Sequence, residues 1–310
     1  MKKNYFLIIL LLFLGFILGR PSLAAAAASD GLLLWYRQIL PALLPLAILS
    51  HIMISSNYMQ LLTKYLYPLT RPFFATSQSG CFALLGGILF GFPMGSKICA
   101  DLVKENKISC EEGELLAICC NQLSPVFISS YLFDGILHLP GLILPGYLLI
   151  YLPPLSYAAY HLHRMQIRHT KNPASDSHLD FGIIDAGIMN GLEALTKLGG
   201  YIVLFSIFAA MLHACNTAHP AVNLICTGLV EVTTGISGLS SDRLPGKMLF
   251  SLSVIFVSFG GLCGFAQTCS MTKGSHFSMS RYLICRITFA LCSGTAAWLL
   301  FPLFDLLRLC

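Results

Sequence analysis

Two apolar stretches of this chain are interrupted in the same way, one in each half: Gly86-Gly87-Ile88-Leu89-Phe90-Gly91-Phe92-Pro93 and Gly260-Gly261-Leu262-Cys263-Gly264-Phe265-Ala266. Unwound backbone inside a hydrocarbon layer leaves amides and carbonyls without partners, which is tolerated only where protein or a water-filled cavity covers them. Breaks at corresponding places of two halves therefore point to an interior site near a bilayer midplane, as in transporter folds.

Of the 310 residues 56% are hydrophobic and only 11% charged, where soluble domains carry about 25% charge. With a mean hydropathy of +0.75, the chain reads as an all-α polytopic membrane protein whose first partner is the lipid bilayer. The net charge of +5 lies in short loops rather than along one face, so it signals topology and not nucleic-acid binding. The twelve cysteines are scattered, mostly inside apolar segments, without C-x-x-C or zinc-like spacing, and read as small core residues. His161, His163, His169 and His178 sit in a basic stretch with no carboxylate or cysteine spaced to complete a site, as in a solvated linker. No metal or other cofactor is expected. No G-x-S-x-G, H-E-x-x-H or paired intramembrane carboxylates occur, so no enzyme is expected either.

Residues 1–30 form a signal-like leader or a first membrane helix, both of which leave Gly31 outside. Residues 31–160 read as a first membrane repeat, 161–180 as a cytoplasmic linker and 181–310 as a second repeat. If Lys2 and Lys3 are cytoplasmic, the basic cluster Arg164, Arg168 and Lys171 returns to the cytoplasm only when Cys81–Lys97 dips in and back rather than crossing. The same grammar in the second half gives an outward span at Leu198–Cys215, an interfacial helix at Ala221–Ile236, a glycine-broken hairpin and a returning span. The expected architecture is a pair of inverted repeats, each with a re-entrant glycine-broken helical hairpin, and about seven spanning helices if the leader is retained. It leaves Arg243, Lys247, Lys273 and Arg281 on the outer side. If Ala221–Ile236 crosses fully, the repeats are parallel instead.

The run Gly91-Phe92-Pro93-Met94-Gly95-Ser96-Lys97, followed by Asn121-Gln122-Leu123-Ser124-Pro125, resembles the nucleoside-recognition or gate domain, and Leu229–Ile236 with Gly260–Gln267 looks like a second copy. The arrangement from about Ile39 to Phe304 is similar to the YlbJ family of sporulation integral membrane proteins. Phe92 and Gln122 depart from the Gly-Tyr-Pro and Asn-Asn usual in that group. The resemblance implies a gate-type fold, a cell-membrane location and a role in spore formation. It does not supply a nucleoside as ligand, and no G-x-x-x-x-G-K-[ST] phosphate loop is present.

Candidate site residues follow from charge and amide placement in apolar surroundings. Glu231 is an acid in the middle of an apolar segment, which costs about 2.5 to 3.5 kcal/mol on insertion scales unless a partner, proton or ion is at hand; otherwise it is wet at the interface. Lys97 closes the first break and either meets carbonyl ends or an anionic group, or snorkels to the surface. Asn121, Gln122 and Ser124, and Gln267 in the second half, can bond exposed backbone or the edge of a polar solute. With Gly91, Phe92, Pro93 and Gly264 they make up the expected solute site. Arg286 pairs with Glu231 or snorkels. Glu111, Glu112 and Glu114 follow Ser109 as an N-capped, acid-rich helix start. The expected activity is binding or passage of a small polar solute, with a non-transporting envelope scaffold as the alternative and a homo-oligomer compatible with both.

Overall fold

The computed structural model describes residues 2–165, 179–215, 220–239 and 244–308, and all regular structure among them is helical. His169, His178, Arg168 and Lys171 of the 161–180 linker, and Arg243, lie outside the described residues.

Five helical stretches are long and apolar enough to cross a membrane: Pro21–Ser55, Pro140–Arg164, Phe181–Ala214, Gly246–Met271 and Met279–Phe304. A sixth arises if the pair Met59–Phe74 and Gln78–Phe90, bent by 87°, counts as one span. These five or six stand against the seven or so expected, and two further apolar stretches are not among them. Helix α1 (Lys2–Gly19) contributes a shorter apolar run, Leu7–Gly19, and Leu115–Phe133 is broken at Asn121. The chain also passes helically through Asp30: α2 (Pro21–Leu34), a π-helical turn (Trp35–Ile39) and α3 (Leu40–Ser55) are continuous.

Beyond Ser55 come α4 (Met59–Phe74), α5 (Gln78–Phe90), α6 (Met94–Lys104), α7 (Cys110–Cys120), a π-helical segment (Phe127–Ile136) and α8 (Ile143–Arg164). The second half comprises α9 (Phe181–Cys215), α10 (Pro220–Val230), α11 (Val232–Ser237), α12 (Gly246–Phe259), α13 (Gly261–Met271) and α14 (Met279–Arg308). Proline stops and side-chain caps separate them. Ser77 caps α5 through the Gly80 amide at 2.9 Å, and Ser109 caps α7 through the Glu112 amide at 3.1 Å. The buried Glu112 carboxylate then reaches the Ser77 amide at 2.7 Å, so one acid serves two helix starts.

The 35-residue α9 is about 50 Å long at 1.5 Å per residue, more than a hydrocarbon core requires. It runs antiparallel to α2–α3: Gly31 packs on Ser206, Trp35 Nε1 donates to the Leu195 carbonyl at 2.8 Å, and Gly187 meets Ile52. Contacts sort the remaining elements by end. At one end Ser55 lies against Glu105, Lys107 donates to the Ile54 carbonyl, Cys110 reaches the Ser275 carbonyl, and Arg281 pairs with Glu114 at 3.3 Å. Burial lowers the Lys107 pKa, an effect that Glu105 partly offsets. At the other end Phe133, Phe250, Phe301 and Phe304 form an aromatic cluster, and Tyr131 bonds Ser237.

The first hydrophobic cluster joins α5, α6 and α7 to the C-terminal part of α8 and the N-terminal part of α14. The second joins the π-helical segment, α11 and α12 to the opposite parts of α8 and α14. Lys64, Arg71, Lys104, Lys107, Arg164, Lys273 and Arg281 all belong to the Ser55 end. Lys273 and Arg281 thus share an end with Lys104 and Glu114, a correction to the expected outer position, while Lys247 stacks on Trp298 at the other end.

The two glycine breaks behave differently. α5 and α6 do turn back at Gly91-Phe92-Pro93. The Gly260-Gly261 break, by contrast, interrupts the 26-residue stretch Gly246–Met271 without a fold-back, because α12 and α13 run on in the same sense from the aromatic end to the Ser55 end. The hairpin of the second half is α10–α11, which turns at Glu231. A Cβ on Gly235 would lie 2.2 Å from the Gly228 Cα, so the two arms touch backbone to backbone. Gly235→Val is expected to lower thermal stability in detergent by about 1 to 3 kcal/mol, the usual cost of overpacking, whereas Gly200→Ala, with open space around it, leaves the melting curve in place.

Candidate functional site

Four interruptions of helix converge in the interior: Gly91-Phe92-Pro93, Asn121–Pro125, Glu231, and Gly260-Gly261. They meet in pairs. A Cβ on Gly91 (φ +73°) would lie 2.5 Å from the Ser124 amide nitrogen, and the Phe92 amide donates to the Gln122 carbonyl at 2.6 Å. Gly261 (φ +73°) packs against the Val230 carbonyl and Val232 amide, next to Glu231. Both glycines combine a positive φ with a backbone approach that leaves no room for a side chain.

The carbonyls freed by the Asn121–Pro125 break are matched one by one. Arg286 Nη1 donates to Asn121 at 3.2 Å, the Phe92 amide to Gln122, Tyr151 Oη to Leu123 at 2.5 Å, and Tyr147 Oη to Pro125 at 2.7 Å. Arg286 Nε also donates to the Phe259 carbonyl at 3.1 Å, at the end of α12. One buried guanidinium from α14 therefore sits on the C-terminal ends of α7 and α12, where the aligned peptide dipoles concentrate partial negative charge. The Arg286–Glu231 ion pair that residue type suggested does not form, because each group is taken up elsewhere.

Glu231 is buried and accepts four bonds from the start of α11: the amides of Thr233 and Thr234 at 3.2 and 2.6 Å, and their hydroxyls at 2.5 and 2.7 Å. It acts as the cap of the hairpin turn rather than as an interfacial, solvated acid. Asn121 accepts from the Ser96 amide at 3.1 Å, capping α6 from another helix, and donates to Thr268 and Tyr282 at 3.1 and 2.9 Å. It therefore ties the first half to the second. Gln122 is buried, and its side-chain nitrogen and oxygen have no hydrogen-bond partner.

Beside these breaks lies a cavity of about 490 Å³, within the size range of small-molecule sites. Of the expected residues it brings together Phe92, Pro93, Ser124, Glu231 and Gln267. Gly91 lies directly behind Ser124, and Gly264 leaves room for the Phe92 ring, which a Cβ there would meet at 2.8 Å. The lining combines apolar side chains, among them Leu34, Leu43, Leu198 and Ile202, with a polar set made of Gln38, Ser124, Ser130, Thr233 and Gln267. Lys97 is not part of this cavity. It is buried in a second one, paired to Asp101 at 2.6 Å and donating to Asn190. A third cavity around Asp30, Ser206 and His213 shares Leu34, Tyr131 and Thr233 with the central one, so the two adjoin toward the aromatic end.

Residue typing missed Tyr147, Tyr151 and Tyr282, whose hydroxyls pair the broken backbone or Asn121. Their signal was present in principle, since a buried tyrosine hydroxyl needs a partner. No group of His, Cys, Asp and Glu suited to hold a metal occurs among the described residues.

These features define the class: an integral membrane protein of helices, several of them broken around a central cavity. The chain is similar to the sporulation integral membrane protein YlbJ of Bacillus subtilis (strain 168), with 27% identity over 311 aligned positions that cover 87% of this chain and 76% of that protein. No family model matches the chain, and no solved structure matches it.

Arg286→Met removes donors from two buried carbonyls at once and is expected to destabilise the protein by about 3 kcal/mol or more, given about 1.5 to 3 kcal/mol for each bond to a charged group. Arg286→Lys is expected to recover part of the loss, read as the midpoint of thermal unfolding in detergent.

Proposed function

We propose that this chain is a transporter-like membrane protein of spore formation that binds a small solute, partly apolar and partly polar, in the central cavity. The observation that carries the reading is the 490 Å³ cavity lying where paired helix breaks meet in an otherwise apolar protein. The similarity to a sporulation membrane protein supports the setting.

In this reading the halves are inverted repeats of gate type. The first runs as span (α2–α3), interfacial α4, hairpin (α5–α6), broken span (α7 and the π-helical segment) and span (α8). The second runs as span (α9), hairpin (α10–α11), broken span (α12–α13) and span (α14), each in the opposite sense. The hairpin tips at Phe92 and Glu231 then enter from opposing leaflets. The Ser55 end, with its lysines and arginines, faces the cytoplasm, as charge bias in short loops directs. The solute's polar edge bonds Gln38, Ser124, Thr233 and Gln267 while its apolar body lies on Leu198 and Ile202. No chemistry is performed on it. Glu231 and Asn121 hold the backbone that shapes the site.

The scaffold reading draws on one observation: Asn121, Thr268, Tyr282 and Arg286 bond the halves together across the centre, as a rigid structural role would require. Ala42 lines the cavity yet is otherwise exposed, so Ala42→Trp fills the space without disturbing packed neighbours. In an endospore-forming host, Ala42→Trp and Glu231→Gln are expected to insert normally and to lower spore yield. Full yield from both removes the solute site and favours the scaffold, and solute uptake by the purified wild type in liposomes favours transport. For orientation, His138→Cys is expected to react with an impermeant maleimide added to intact cells of a cysteine-depleted strain, and Gly274→Cys only after permeabilisation; the reverse pattern overturns the assignment.

A further inference from the structure

Lys97 separates the second cavity from everything above. This space of about 460 Å³ lies between α6, α9 and the end of α13, toward the Ser55 end. Four ammonium groups line it, Lys97, Lys104, Lys197 and Lys273, against two carboxylates, Asp101 and Glu193. The carboxylates are already taken: Asp101 pairs with Lys97 and Glu193 with Lys197. Lys104 and Lys273 form no ion pair among the described residues. The cavity thus carries two uncompensated positive charges.

Those charges alone would describe a basic surface. Lys97 adds a built element, since it is 4% exposed and held at its place by Asp101 and Asn190. These bonds use two of the three N–H groups of an ammonium, which leaves one donor. Asn190, Tyr201 and Ser270 supply neutral polar groups to the same lining. A pair of unneutralised lysines over a buried third, with amide and hydroxyl donors beside them, matches an anion that has several oxygens and close to two charges. Lysine meets phosphate as a point charge, without the planar geometry that arginine demands.

We propose that this cavity is a binding site for a phosphate-type dianionic group, distinct from the central cavity. It shares no lining residue with the central cavity, although both border α9, where Lys197 and Tyr201 precede Leu198 and Ile202 in the chain. The assignment does not depend on what the central cavity holds. The phosphate has two sources, a free anion or the phosphomonoester headgroup of an acidic lipid.

Lysine acylation read by mass spectrometry tests the site on the full chain in maltoside micelles, which contain no phosphate. Three conditions are compared at equal ionic strength: sodium chloride, inorganic phosphate, and chloride with phosphatidic acid, whose phosphomonoester headgroup can carry two charges, added to the micelles. Binding is expected to slow acylation of Lys197 and Lys273 by about fivefold at a probe concentration about four times its Kd, the fall in unoccupied sites that mass action sets. Lys64 and Lys247, outside the cavity, keep their rates. Slowing by inorganic phosphate identifies a free anion as a sufficient source, and slowing by phosphatidic acid alone identifies the lipid headgroup. Double replacement of the exposed Lys104→Gln and Lys273→Gln is expected to abolish the protection of Lys197 while leaving the melting curve unchanged. Equal rates at Lys197 and Lys273 in all three conditions overturn the proposal, and so does protection of Lys197 that survives the double replacement.

Discussion

The whole arrangement depends on pairing main-chain carbonyls that broken helices expose in an apolar interior. An unpaired carbonyl in hydrocarbon costs several kcal/mol, so a helix can stop at mid-depth only where donors are waiting. Arg286 supplies two of them, to Asn121 and Phe259, from a third helix. Tyr147 and Tyr151 of α8 supply two more, and the Phe92 amide a fifth. Because these donors come from both halves of the chain, the breaks can persist only when the halves are assembled. The polar centre is therefore a property of the tertiary structure and not of any one segment.

Around that centre the packing is divided into two apolar clusters, one toward each end, with α8 and α14 contributing opposite parts to both. Antiparallel packing of α2–α3 on α9 closes one flank through Trp35, Leu195 and Leu198. Cavities remain along this flank because helices that stop at mid-depth leave their places half filled. The central one is mostly apolar, whereas the one toward the Ser55 end is charged, and Lys97 lies in the latter because α6 begins just after the turn and carries it away from the hairpin tip.

Much of the fold was legible in the residues. Gly91-Phe92-Pro93 marked a break, since glycine and proline together interrupt a helix. Ser109 with Glu111 and Glu112 marked the start of α7. The second half misled because its glycine pair was more conspicuous than its hairpin. Gly260-Gly261 breaks a helix that then continues in the same sense, while the hairpin at Glu231 is made possible by Gly228 and Gly235, whose significance lies in their contact with each other. Lys273 and Arg281 followed from that error: once Gly246–Met271 crosses, both fall at the basic end.

The sequence alone determined that this is a helical membrane protein with interior breaks in both halves, because hydropathy and glycine or proline placement are local properties of a chain in lipid. It also marked Glu231, Asn121 and Arg286 as groups that need partners. Which partners they take was decided only by tertiary structure. Glu231 chose the amides of its own turn, Asn121 a helix start and a tyrosine, and Arg286 two carbonyls, since a buried charge goes to whatever opposite partial charge the packing brings within reach, and distance between remote segments is not written in residue type.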